Sequence, residues 1–109
     1  MLKKENRLKK KRDFERVLQK GRGYKGDSLF LKVIKNEEAE ARIGIIVSKK
    51  VSKKAVERNK LRRRIREIVR TINLPSHFDA VVVAFPKASE KTFQELSLEI
   101  INLFKKANV

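Results

Sequence analysis

The stretch Ser48–Arg70, SKKVSKKAVERNKLRRRIREIVR, restricts this chain more than any other. It holds eleven Lys or Arg and two Glu, a net +9 of the +16 carried by all 109 residues. Leu61, Ile65, Ile68, Val69 and Ile72 recur at i, i+4, i+7, i+8 and i+11, which is one apolar stripe of an α-helix. The spacing predicts a helix from about Ala55 to Ile72. At roughly 100° per residue, Asn59, Arg62, Arg63, Arg66 and Arg70 fall on one polar flank, and Lys60 and Arg64 on the other. Like charges at i, i+4 (Arg62/Arg66, Arg66/Arg70) each cost on the order of a few tenths of a kcal/mol in an isolated helix. A ridge that repels itself points to an anionic partner. Solvated helix faces usually mix Lys with Glu, whereas this one is Arg-rich and nearly free of acid. Guanidinium forks match phosphate oxygens, so the ridge and the net charge together indicate nucleic-acid binding.

The length suits one domain, residues 1–109, with a modest core. Charged residues reach 39%, but the 40% that are apolar are periodic, which argues against a disordered chain. Without Cys there is no disulfide framework and no thiolate metal site. No apolar run has the length of a membrane span or a signal-peptide core, so the expected location is the cytoplasm, with no membrane partner.

Residues 1–11 form a basic segment, expected to be flexible in the absence of RNA. From Asp13 a short helical pattern places Phe14, Val17 and Leu18 at i, i+3 and i+4, with Gly21 as its stop. Phe14 and Leu18 read either as core residues or as one wall of a groove. Three of the four glycines fall in Gly21–Gly26, a turn-rich connection that leaves room for a short edge strand at Arg22–Lys25. Leu29–Lys35 reads as a strand with Leu29, Leu31 and Val33 on one face and Phe30, Lys32 and Ile34 on the other. Asn36–Glu40 reads as an acidic hairpin turn into an antiparallel strand, Arg42–Ser48. Gly44 weakens that strand and marks a close approach. Lys49–Lys54 is a basic loop, with Ser52 the nearest N-cap candidate for the basic helix. Asn73 and Pro75 end that helix. Phe78–Phe85, FDAVVVAF, is a continuous apolar run expected to be the most buried strand. Ser89 is expected to cap a last helix carrying Phe93, Leu96, Ile100, Leu103 and Phe104 on one face. The order is α-β-β-(β)-α-β-α.

Protein-based catalysis is hard to find in this pattern. The single His, His77, sits in a turn and reads as a surface residue. No cluster has metal-ligand spacing. Two-metal nucleases need several converging carboxylates, and the strand ends offer only Asp27 and Asp79. Glu57 and Glu67 read as local charge relief on the basic helix. If the protein takes part in RNA chemistry, another component supplies the reactive groups.

Ser48-Lys49-Lys50-Val51, then Ala55-Val56-Glu57-Arg58-Asn59-Lys60-Leu61-Arg62-Arg63-Arg64-Ile65-Arg66-Glu67, resembles the signature of the bacterial ribonuclease P protein component. Arg7-Leu8 with Phe14, Val17 and Gly21 upstream, and Phe78-Asp79 with Pro86-Lys87-Ala88 downstream, extend the resemblance over nearly the whole chain. It implies an α/β (α+β) two-layer sandwich, with a mixed sheet of about four strands, three helices and a left-handed βαβ crossover. It implies an enzyme only in the sense of a subunit. A catalytic RNA and Mg²⁺ bound mainly by that RNA would remove the 5′ leader of precursor tRNA, assisted by the protein.

Site residues follow from the same resemblance. Ser48, Lys49, Lys50, Lys53, Lys54, Arg58, Asn59, Lys60, Arg62, Arg63, Arg66 and Arg70 would meet the catalytic RNA. Phe14, Leu18, Phe30 and Lys32 would line a cleft for the single-stranded leader. No catalytic residue and no metal ligand are implied in the chain itself. Lys32 stands where the family often has an aromatic residue, so a phosphate contact could replace stacking there, and Phe30 shares that strand face. Ser52-Lys53-Lys54 stands where many members have a shorter, Gly-containing turn. The rival readings are a small ribosomal protein, a nuclease acting alone and a DNA-binding helix-turn-helix protein. The strands flanking the basic helix argue against the last, and DNA is not an expected partner.

Overall fold

The computed structural model describes residues 6–37, 40–72 and 77–107. In chain order it has α1 (Lys11–Lys20), β1 (Arg22–Lys25), β2 (Leu29–Lys35), β3 (Arg42–Ile46), α2 (Ala55–Thr71), β4 (Phe78–Ala84) and α3 (Phe93–Lys106). A 3₁₀ turn, Pro86–Glu90, precedes α3. The strands form one mixed sheet in the order β1-β2-β4-β3. β1–β2 and β2–β4 are antiparallel, while β3–β4 are parallel.

The apolar run dictates this order. Every residue of β4 except Val83 is buried. A strand with that pattern needs neighbours on both edges and cover on both faces. β4 therefore sits between β2 and β3, with Val82 opposite Leu31 on one side and Ile45 on the other. This corrects the expected hairpin over Asn36–Glu40. β2 and β3 run in opposite directions but do not pair, because β4 separates them.

Each strand alternates as its sequence predicts. Leu29, Leu31, Ile43, Ala80, Val82 and Ala84 pack with Leu61, Ile65, Ile68 and Val69 of α2 and Leu96, Ile100, Leu103 and Phe104 of α3. On the other face Val81 is buried with Val17 and Leu8, beside Phe14, Leu18, Ile34, Ile46 and Val83. The expected four-stranded mixed sheet and three helices are present. The two-layer description fits the α2–α3 side, and α1 adds a partial layer on the opposite face.

Several local expectations need correction. Asn6–Lys10 of the basic N-terminal segment is docked rather than flexible. Leu8 N–H donates to Ile43 O at 2.9 Å, Asn6 Nδ2 donates to Ala41 O at 2.7 Å, and the Leu8 side chain is buried. One apolar residue among the cations suffices to seat the segment. Residues 1–5 of that segment, and Asn73 and Pro75, lie outside the described residues, while Lys11 opens α1.

α2 has Lys54, not Ser52, at its N-cap, with no side-chain cap. α3 is capped by Thr92, which forms a capping box with Glu95. Ser89 instead donates from Oγ to Pro86 O within the 3₁₀ turn. Phe93 is 44% exposed rather than core, because it occupies the first helical position, before α3 reaches the sheet.

Candidate RNA interface

α2 runs with its apolar stripe on the sheet side and its cations outward. Asn59, Lys60, Arg63 and Arg70 are exposed, and Arg62, Arg64 and Arg66 are half-buried. The flank expected from helical spacing is therefore a surface. Its members differ in what they already touch. Arg63 and Lys60 have no hydrogen bond or ion pair among the described residues. Arg62 donates from Nη1 to Asn59 Oδ1 at 2.5 Å and from Nη2 to Val47 O at 3.3 Å, which ties the ridge to the chain leaving β3. Arg70 pairs with Glu67 one turn earlier, and that contact holds the Glu67 carboxyl below its usual range.

Arg58 is used internally. Its Nη1 donates to Ser52 O at 2.9 Å and to Lys53 O at 3.0 Å, closing the loop before the helix. Two serines bend the same loop. Ser48 Oγ accepts from Lys50 N, and Ser52 Oγ from Lys54 N, each two residues on. Ser52 Oγ also donates to Glu57 Oε2 at 3.1 Å. The loop thus has a defined path, with Ser48, Lys49, Lys50, Lys53 and Lys54 exposed along it.

The second candidate surface lies on the α1 face of the sheet. α1 crosses from β3 to β2. Phe14 lies over Gly44, where an added Cβ would stand 2.4 Å from the ring Cε1. The close approach expected at Gly44 is therefore that of a ring. Gly21, at the C-cap, permits a second one, since a Cβ there would meet Val17 O at 2.5 Å and Val33 O at 3.1 Å.

Phe14 and Leu18 are half-buried, so one edge of each packs on the sheet and the other faces outward. Phe30 is half-buried beside Phe85, with ring centroids 6.4 Å apart. Lys32 Nζ donates to Leu18 O at the C-terminal end of α1 and sits 6.0 Å from the Phe30 ring centroid. Its charge thus serves the carbonyl end of a helix, a favourable place for a cation.

The two surfaces meet. Arg66 of α2 and Phe14 of α1 line one cavity of about 240 Å³, together with Arg7, Lys9, Gly44 and Ile45. Burial lowers the Arg66 pKa, and repulsion from Arg7 and Arg62 adds to the effect. A phosphate there would sit beside the Arg7 and Arg66 guanidinium groups.

Sequence reasoning missed Arg7 and Lys9 at this junction, and Ile46, Val83 and Phe85 on the α1 face. Strand alternation puts Ile46 on the same face as Gly44, but not beside Phe30. The rest needed the sheet order, which brings β4 beside β2.

The carboxylates are engaged elsewhere. Asp79 is fully buried. It accepts from Arg42 Nε and Nη2, both at 2.8 Å, from Asn36 Nδ2 at 2.6 Å and from Arg16 Nη2 at 2.5 Å. Burial pushes its pKa up, but the hydrogen bonds from Arg42 and Asn36 and the two guanidinium charges outweigh that and hold it low. Asp27 takes Lys91 and Lys87, whose hydrogen bonds lower it to about 2. Among the described residues no three His, Cys, Asp or Glu side chains converge. His77 is exposed at a left-handed turn (φ 70°), and its carbonyl accepts from Asn36 N at 3.0 Å. Among the described residues no helix is long and apolar enough to cross a membrane.

Comparison with known proteins agrees with this fold. The family model for ribonuclease P matches residues 2–108. The ribonuclease P protein component of Pseudanabaena sp. is 41% identical over 112 residues, covering 100% of this chain and 97% of that protein. The ribonuclease P protein component of Thermus scotoductus is 44% identical over 94% of this chain, which spans only 60% of that longer relative. The solved structure of the Staphylococcus aureus RNase P protein superposes with a TM-score of 0.85 at 33% identity, covering 95% of this chain and 96% of that one. On this combined evidence the chain belongs to the ribonuclease P protein component family.

Proposed function

We propose that this chain assists a catalytic RNA in the endonucleolytic removal of 5′ leaders from precursor tRNA, with the α2 ridge on the catalytic RNA and the α1 groove on the leader. Family membership implies the coarser part, a protein component of an endoribonuclease with an RNA partner and a role in tRNA 5′ processing. The cavity shared by Arg66 and Phe14 carries the finer part. Single strands are held by apolar or aromatic platforms beside a basic track, with little base readout. Here the track (Arg62, Arg63, Arg66) runs into the platform (Phe14, Leu18, Phe30) at that cavity. A strand leaving the ridge would meet Arg66, Arg7 and Lys9 at the cavity where Phe14 begins the groove.

The chemistry is assigned to the RNA and to Mg²⁺ on its phosphates. The protein's part is to neutralise phosphate repulsion and to hold the leader. Lys32, bound to the Leu18 carbonyl, contributes by fixing one wall.

The test combines purified protein, a bacterial catalytic RNA and 5′-labelled precursor tRNA in low Mg²⁺, each alone and then together. Cleavage at the mature 5′ end only in the combined reaction is the expected result. A protein that adds nothing would overturn the reading and send the search to ribosomes. Cleavage by the protein alone would make it a nuclease in its own right.

A further inference from the structure

We propose that the Arg16–Asp79 pair is a positioning device that sets the seat of α1 and thereby the groove between Phe14, Leu18 and the sheet. The proposal rests on the reading of that groove as the leader site.

Asp79 does not need Arg16 to be satisfied. Arg42 binds both of its oxygens, and Asn36 Nδ2 donates to Oδ1. A buried carboxylate with three hydrogen bonds, two of them from one bidentate guanidinium, is already compensated. Arg16 adds a second guanidinium, 2.5 Å from Oδ2, and it is the only one of these donors that comes from α1. Its charge is balanced at longer range. Asp13, also on α1, stands 3.7 Å from Arg42 Nη1. The four side chains form a neutral set that joins α1 to the interior strand.

On its groove side α1 is held by the half-buried Phe14, whose ring fills the space over Gly44, and by the half-buried Leu18. Val17 is its single fully buried side chain, and its N-cap residue, Lys10, makes no side-chain cap. With one fully buried residue under ten, the flank away from the groove is held by polar contacts, those of Asp13 and Arg16. Helical spacing puts Asp13 and Arg16 on one side of Val17, and Phe14 and Leu18 on the other. The Lys32 bond to Leu18 O holds the C-terminal end. The Arg16–Asp79 bond holds the flank opposite the groove. Releasing that flank lets the helix roll about Val17, which moves Phe14 and Leu18 relative to Phe30 and Ile46. A groove matched to a single strand loses contacts on both walls when one wall rolls.

The experiment uses the reconstituted holoenzyme with wild-type protein and with Arg16→Gln, Arg16→Met and Arg16→Lys. Affinities are measured for precursor tRNA with a leader and for mature tRNA, and the urea midpoint of each protein is recorded. Gln and Met remove the charge while Arg42 and Asn36 keep Asp79 satisfied, and Met keeps the aliphatic stem. The expected result for both is a loss of about five- to tenfold for the leader-bearing substrate, none for mature tRNA, and recovery with Lys. Two results would overturn the proposal: Gln and Met variants that bind both substrates as wild type does, or an equal loss for both substrates with a lowered urea midpoint. Wild-type protein that itself fails to distinguish the two substrates would remove the leader-site reading instead, before any variant is compared.

Discussion

The ring of Phe14 occupies the space that a side chain at position 44 would need. An added Cβ on Gly44 would lie 2.4 Å from Cε1 and 2.5 Å from Cζ of that ring. The glycine in the middle of β3 is therefore a socket for a residue on a different element. Gly44→Ala should displace Phe14 and cost about 1–3 kcal/mol of stability through overpacking. Phe14→Ala should weaken binding of leader-bearing precursor tRNA more than binding of mature tRNA. In the double variant the clash disappears with the ring, so the two stability losses should fall short of adding. Urea denaturation of the four proteins checks this. Additive losses would mean that Phe14 does not depend on Gly44.

The ridge is tested by salt. If six to eight phosphates are neutralised, log K against log salt should slope at roughly −0.7 to −0.9 per contact. Arg63 and Lys60, which make no hydrogen bond or ion pair among the described residues, should each reduce that slope by about one contact when replaced by Ala, with little effect on folding. Arg58→Ala should behave differently. It removes the donor to Ser52 O and Lys53 O, so it should loosen the loop and cost about 1 kcal/mol of stability. Binding titrations from low to moderate salt check both. A flat salt response would remove the ridge as an RNA contact.

These contrasts show where sequence reading stopped. The stripe Leu61, Ile65, Ile68, Val69 and the run Phe78–Phe85 each carry their own burial pattern. Helix α2 and strand β4 were therefore legible from spacing alone. The position of β4 between β2 and β3 was not, because a short acidic link between two strands resembles a hairpin until the burial demand of a later strand is counted. Likewise the basic ridge was visible as a charge pattern, but Arg58 looked the same as Arg63. Only the folded loop separates a guanidinium spent on carbonyl groups from one left open to a partner. Arg7 and Lys9 read as part of a loose tail, since their place beside Arg66 depends on Leu8 being seated against β3.

Asp79 and Arg42 make the most buried ion pair among the described residues, at 2.8 Å. Asp79→Asn would keep the shape but remove the buried counter-charge of two guanidinium groups, leaving Asp13, 3.7 Å from Arg42 Nη1, as the acid of that set. Breaking a buried pair in this way costs about 3–5 kcal/mol. The pH dependence follows from the lowered carboxyl pKa. The folded protein binds the proton less readily than the unfolded chain, whose Asp titrates at about 3.9. The stabilisation is thus present above that value and is lost as pH falls through the lower folded pKa. Thermal unfolding followed from neutral pH down to strongly acidic pH should show this acid limb in the wild type. The Asn variant should begin lower and lack that share of the slope.

Glu99 allows a finer test, because its two oxygens serve different donors. Oε2 accepts from Ser28 N at 2.9 Å and Leu29 N at 2.7 Å, while Oε1 accepts from Ser28 Oγ at 2.6 Å. Both Ser28 and Leu29 are fully buried, so these amides have no water to turn to. Glu99→Ala should cost about 2–4 kcal/mol, the combined penalty of two stranded N–H groups. Glu99→Gln should cost only about 1 kcal/mol. Its amide oxygen can take the place of Oε2 for both amides, and its NH₂ can donate to Ser28 Oγ, with the hydroxyl turning from donor to acceptor. Urea midpoints of the two variants should therefore differ, with Gln close to wild type. Equal losses would show that the negative charge, rather than the acceptor geometry, holds the β1–β2 turn against α3.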